Sequence, residues 1–146
     1  MLFSMITINE IPDVEEDRAA GKLTLVARYG KKTGVKLYII SWFATYGVII
    51  VSAGLRLISP LALFALFSLP HVYRSIKTLQ VTYEKPKLLA PANLDMIKAH
   101  SITSFGLIGG YAVQGFLNGA DMLQFGFILV LLAVTYLPVA WILLKR

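Results

Sequence analysis

The stretch "VKLYIISWFATYGVIIVSAGL", from Val35 to Leu55, carries Lys36 as its one charge and reaches the roughly 20 residues a helix needs to cross a hydrocarbon core. A chain built on such a run has few options. Backbone groups in lipid must pair internally, so a series of long apolar runs is expected to be helical. Three more apolar segments follow, at about Leu57–Ser75, Ala99–Gly119 and Leu123–Leu144. The expected fold is an all-α membrane protein with about four transmembrane helices over residues 35–146, after a polar segment over residues 1–34. Composition agrees: of 146 residues, 57% are hydrophobic and 15% charged, where a soluble domain carries about a quarter charged. Cysteine is absent, which removes disulfides, thiolate chemistry and cysteine-based metal sites.

The opening "MLFSMITINE" has no basic n-region and only a short apolar stretch, so it does not read as a secretory signal. It resembles the tail of a helix. Pro60 suits the first turn of the second segment, whereas Pro70 predicts a kink late in that helix. Gly106 and Gly110, and again Gly115 and Gly119, recur at a spacing that lets helix backbones approach closely. The alternative for these glycines is a groove for a lipid chain.

A net charge of +6 could point to nucleic acid, but the basic residues cluster between apolar runs. Arg18, Lys22, Arg28, Lys31, Lys32 and Lys36 gather before or at the start of the first run, and Arg56 alone follows it. Arg74, Lys77, Lys85, Lys87 and Lys98 gather between the second and third, and Lys145 and Arg146 end the chain. This alternation is the signature of membrane topology and excludes a nucleic-acid partner from the expectation. Positive-inside bias places the N-terminal polar segment, the Arg74–Lys98 connection and the C-terminus in the cytoplasm, with the spans in the cell membrane. "TYEKPKLLAP", Thr82–Pro91, reads as a cytoplasmic loop.

Of the eight acidic residues, Glu10, Asp13, Glu15, Glu16 and Asp17 crowd into the polar segment. On a helix Asp13 and Asp17 share a face. Glu10 falls near that face, unless Pro12 opens the helix there. Converging carboxylates repel unless a cation sits among them. Oxygen ligands suit Mg²⁺, which takes one or two protein carboxylates and completes its shell with phosphate oxygens and water. Arg18 and Lys22 could grip the same phosphate, the arginine as a fork and the lysine as a point charge. From spacing alone a solvated cluster of charges is the more economical reading, and Glu15 and Glu16 fit it best. An EF-hand is excluded, because the D-x-[DN]-x-[DN]-G order is missing.

In order, Glu10, Asp13, Asp17, Arg18, Gly21, Lys22, Thr24, Leu25, Arg28 and Gly30 resemble the second aspartate-rich motif of the UbiA superfamily of intramembrane prenyltransferases. "LFSLPHVYRSIK" and "MIKAHSITSFGLIGGY" are similar to later helical regions of the same family, so the resemblance covers nearly the whole chain. It implies the C-terminal half of an all-helical bundle of about nine spans. It also implies Mg²⁺-dependent transfer of a polyprenyl group from its diphosphate to an aromatic quinone precursor, such as a dihydroxynaphthoate. Carried over residue by residue, Asp13 and Asp17 become catalytic metal–diphosphate ligands and Glu10 a supporting metal ligand. Arg18 and Lys22 become diphosphate contacts. Glu10 stands where many members have aspartate. The family's first motif, of N-D-x-x-D-x-x-x-D type, does not occur in these residues, so activity is expected only with a separate N-terminal half. A split gene, a truncated frame or an internal start would each produce such a chain.

Three rivals follow. One is a non-catalytic small membrane protein or truncated relic, and another is a prenyltransferase of glycerol ether lipids. A cation transporter is disfavoured, because the expected spans contain no acidic residue. His71 and His100 read as polar anchors rather than catalytic bases. Tyr38, Trp42, Tyr46, Tyr73, Tyr111, Tyr136 and Trp141 could shield a carbocation or simply mark the membrane interface.

Overall fold

The computed structural model describes residues 1–119 and scattered helical positions between 123 and 137. All regular structure among the described residues is helical, in agreement with the all-α expectation. Most of the Leu123–Leu144 segment, including Tyr136 and Trp141, lies outside the described residues.

Three short helices form a foot. α1 spans Leu2–Glu10 and stops where Pro12, lacking an N–H, opens a turn over residues 11–13. α2 spans Val14–Ala19 with Asp13 at its N-cap. α3 spans Leu25–Tyr29, and the Thr24 side chain caps it by accepting from Ala27 N at 3.1 Å. Gly30, with φ 88°, closes α3 and opens α4, a reversal that needs a residue without Cβ. α4 then runs over Lys31–Gly54 and contains the first expected span up to its last residue, Leu55, which follows the helix as its C-cap. It is the one helix among the described residues long and apolar enough to cross a membrane by length and composition.

The second segment departs from the expected kinked helix. Pro60–Ser68 is a 3-10 helix, which begins at Pro60 as expected and is capped by Ser59, whose Oγ accepts from Leu61 N at 3.2 Å. The sequence there, "ALFALFS", repeats every three residues, and a 3-10 helix has three residues per turn. Ala62, Ala65 and Ser68 therefore form one straight buried row, while Phe64 and Phe67 stack outside it at 5.8 Å. α5 follows over Leu69–Thr82. Pro70 sits in the first turn of α5, where its missing N–H costs nothing, and not late in a helix as expected.

The expected loop Thr82–Pro91 is shorter. After α5 a brief 3-10 turn, Pro86–Leu88, leads into α6 over Ala90–Leu117, with Pro91 in its first turn. α6 thus starts nine residues before the expected Ala99 and takes Asp95 and Lys98 into the helix. The expected span Ala99–Gly119 itself still contains no acidic residue.

α6 packs tightly on the 3-10 helix. A Cβ on Gly106 would fall on the backbone of Phe64 and Ala65, and one on Gly110 on that of Leu61 and Ala62. Four α-helical residues and three 3-10 residues both rise about 6 Å, so the glycine pair and the alanine row are commensurate. Close backbone packing, and not a groove, is the use of this pair. Gly119 lies beyond the end of α6 with nothing within 4 Å of an added Cβ.

Hydroxyls tie α4 to the rest. Tyr38 Oη lies 2.6 Å from Ser75 Oγ, which donates to the Ala92 carbonyl at 2.8 Å. Two turns along α4, Tyr46 Oη lies 2.5 Å from Ser68 Oγ, which lies 2.8 Å from Thr103 Oγ1. Trp42 is buried between them, stacked on Tyr46 and edge-on to Tyr38. These three aromatics are core residues.

Candidate functional site

The motif residues occupy the foot, beside the first turns of α4. Asp13 occupies the N-cap position of α2 without a side-chain capping bond and is exposed, while Asp17 lies one turn on, its N–H bonded to the Asp13 carbonyl at 2.8 Å. The i,i+4 spacing expected of the pair is therefore present. The two carboxylates differ in setting. The Asp17 side chain is only 12% exposed, since α2 packs its inner face against α3. Its Oδ1 accepts from Lys22 Nζ at 3.2 Å, whereas Oδ2 is buried with no hydrogen-bond partner. A buried carboxylate oxygen left bare is costly unless a cation or donor reaches it.

Glu10 belongs to α1, on the far side of the Pro12 turn, and is half-buried. Among the described residues no three His, Cys, Asp or Glu side chains converge as a metal cluster, and the turn at Pro12 puts Glu10 on a different helix from Asp17.

The basic residues are partly spoken for. Arg18 Nε donates to the Ala27 carbonyl at 2.6 Å, tying α2 to α3, and an outer guanidinium nitrogen stands 4.0 Å from Glu15. Lys31 Nζ stands 3.9 Å from the other oxygen of Glu15. Lys22 is held by Asp17, and its side chain remains 66% exposed. Glu15 is thus engaged in surface ion pairs, as its reading as a structural charge implies.

Sequence reasoning missed a second polar locus. His71, in the first turns of α5, places Nδ1 3.0 Å from Asp95 Oδ1 of α6. Both side chains are largely covered, 22% and 16% exposed. His71 is thus a polar anchor between helices, and its partner is a carboxylate that the short reading of α6 had left in a loop. On another face of α6, Asn93 Oδ1 and His100 Nε2 lie two turns apart, both buried without a partner. Helical spacing over Asn93, Met96 and His100 was the available signal.

The pair Asp13–Asp17 fits a magnesium ion in donor type and number, with bare Oδ2 of Asp17 as the specific observation. The chain matches no family model, no curated protein and no solved structure.

Proposed function

We propose that this chain is the membrane-embedded, second-motif portion of a UbiA-type prenyltransferase that moves a polyprenyl group from its diphosphate to an aromatic quinone precursor. Its reading as four crossings, with the foot cytoplasmic, is supported by basic-residue alternation and by the exposed apolar surface. Phe43 and Val48 on α4, Phe67 on the 3-10 helix and Leu117 on α6 are each at least 65% exposed. The observation that carries the reading is the buried, partnerless Oδ2 of Asp17, one turn from an exposed Asp13 within the resembling motif.

In this reading Asp13 and Asp17 hold the cation, and Mg²⁺ when bound neutralises charge on the departing diphosphate. Lys22, mostly exposed, leaves Asp17 to meet the phosphate oxygens. The Arg18 Nε stays on Ala27, and its outer nitrogens, one of them 4.0 Å from Glu15, turn to the same ligand. A first aspartate motif, absent from these residues, is supplied from outside them. A glycerol ether lipid acceptor is the nearest enzymatic alternative.

A second reading, a non-catalytic membrane protein, is favoured by one observation: Lys22 and Arg18 both find partners within the foot. Prenyl transfer measured on the chain with and without a supplied first-motif half, against a dihydroxynaphthoate and a glycerol ether acceptor, decides between them. Full activity of the chain alone would overturn the need for a second half. No transfer by the folded pair would overturn the enzyme reading and leave the non-catalytic one.

A further inference from the structure

α2 ends in a cap that sets one lysine on the candidate metal ligand. Gly21, with φ 71°, turns the chain into the left-handed region just past the helix. Its N–H donates to the Arg18 carbonyl at 3.0 Å, and the Lys22 N–H donates to the Asp17 carbonyl at 2.8 Å. Those two bonds around a left-handed glycine make a Schellman cap, which folds the residue after the glycine back onto the last full turn of the helix. Two apolar side chains commonly meet at the positions so joined. Here the positions hold Lys22 and Asp17, and Lys22 Nζ stands 3.2 Å from Asp17 Oδ1. The backbone, and not the ion pair alone, keeps this ammonium beside this carboxylate.

That placement sets a cation at Asp17 against Lys22. Oδ1 carries the ammonium, while Oδ2 is buried and has no partner. A cation drawn to either oxygen shares one carboxylate with the ammonium, and like charges so close repel. Arg18 and Lys31 do not stand in this position, since both approach Glu15 instead. Phosphate oxygens reverse the sign of the effect. The Lys22 side chain is 66% exposed on a flexible four-carbon stem, so it can turn from Asp17 to an anion held over the cation.

We propose that Lys22 is a built-in competitor for the cation at Asp17, drawn off by the diphosphate, so that cation and diphosphate load onto the foot together. The inference rests on the metal–diphosphate reading of Asp17 given above and adds an order to it. A divalent ion alone binds against Lys22, whereas a divalent ion carrying a diphosphate binds with its help. Such coupling is reciprocal, each ligand raising the affinity for the other by the same factor.

Binding to the full chain in detergent micelles tests this without prenyl donor or acceptor. Mn²⁺ serves as the paramagnetic probe, and its bound fraction is read from water-proton relaxation, with Mn²⁺ alone or as its preformed complex with inorganic pyrophosphate. Lys22→Gln should bind Mn²⁺ alone about fivefold more tightly, the upper end of what an exposed ion pair supplies. The same variant should bind manganese pyrophosphate less tightly than the unchanged chain. Lys32→Gln, an equal charge loss on an exposed side chain in the first turn of α4, should leave both affinities nearly unchanged. Circular dichroism checks that helix content is kept, and Lys22→Met, which keeps most of the aliphatic stem, replaces Lys22→Gln if it is not. Unchanged or weaker binding of Mn²⁺ by the Lys22 variant overturns the proposal and leaves the prenyl-transfer reading standing. So does an equal gain in Lys32→Gln, which would make the effect one of overall charge, and so does undiminished binding of manganese pyrophosphate by the Lys22 variant. Mn²⁺ binding that survives Asp17→Asn, or none by the unchanged chain, overturns the metal reading of Asp17 and the competitor with it.

Discussion

Where α6 crosses the 3-10 helix, backbone meets backbone; in the α1–α3 foot, side chains meet side chains. The seam has no slack, because an added Cβ on Gly106 or Gly110 has nowhere to go. The foot is held by contacts that can be exchanged: Lys22 on Asp17, Arg18 on a carbonyl, Lys31 near Glu15. In the proposed reading, rigid packing and replaceable charge pairing are what binding and releasing a highly charged ligand requires. The difference between the regions can be tested from the seam outward.

Gly110→Leu should have the largest effect. Overpacking against backbone exceeds the usual cost of about 1–3 kcal/mol for an enlarged core residue, so loss of the folded state in micelles is expected. Gly109→Leu, one residue away with open space around it, should unfold within about 0.5 kcal/mol of the unchanged chain. Equal behaviour of the two in chemical denaturation would remove the distinction. Next, Asp17→Asn should lower prenyl transfer by the reconstituted pair about 100-fold, the scale of losing a preorganised electrostatic contact. Glu16→Gln, on an exposed side chain, should leave it nearly unchanged. Similar losses from both would make the foot a diffuse charge cluster.

Tyr46→Phe removes one interhelical hydroxyl contact while Ser68 keeps Thr103, and should cost about 1 kcal/mol, the usual net scale of one hydrogen bond. A cost several times larger would mean that the hydroxyls, and not the glycine seam, hold the bundle. The smallest effect is expected for Lys22→Gln. Its ion pair with Asp17 is mostly exposed on the lysine side, so solvent screening limits the change to about 0.5 kcal/mol by the same unfolding measurement. A larger loss would make Lys22 a structural strut and weaken its assignment as a phosphate contact.

Apolar runs made the helical class legible. The Gly106–Gly110 spacing made the seam legible too, because small residues four apart act through local geometry. The 3-10 helix was missed although "ALFALFS" spells its period, because Pro60 and Pro70 had already suggested one kinked α-helix. The early start of α6 was missed because Pro91 was read as a loop residue and not as a first-turn residue. With it went Asp95, whose pairing to His71 depends on how α5 and α6 stagger, a tertiary fact no single segment encodes. In the foot, the spacing of Asp13 and Asp17 was readable, but the Lys22–Asp17 contact was not. It depends on the chain doubling back after Gly21, where Lys22 N bonds the Asp17 carbonyl at 2.8 Å.

The alanine row of the 3-10 helix carries a mechanical ambiguity. Because its period is three with no angular drift, sliding the helix one turn past α6, by about 6 Å, would bring Ala65 where Ala62 stood and Ser68 where Ala65 stood. Steric fit alone barely distinguishes the two alignments. Ser68 breaks the tie: its hydroxyl reaches Tyr46 on one side and Thr103 on the other only in the observed alignment. A single oxygen, bonded on both sides, thus marks the alignment of the whole row.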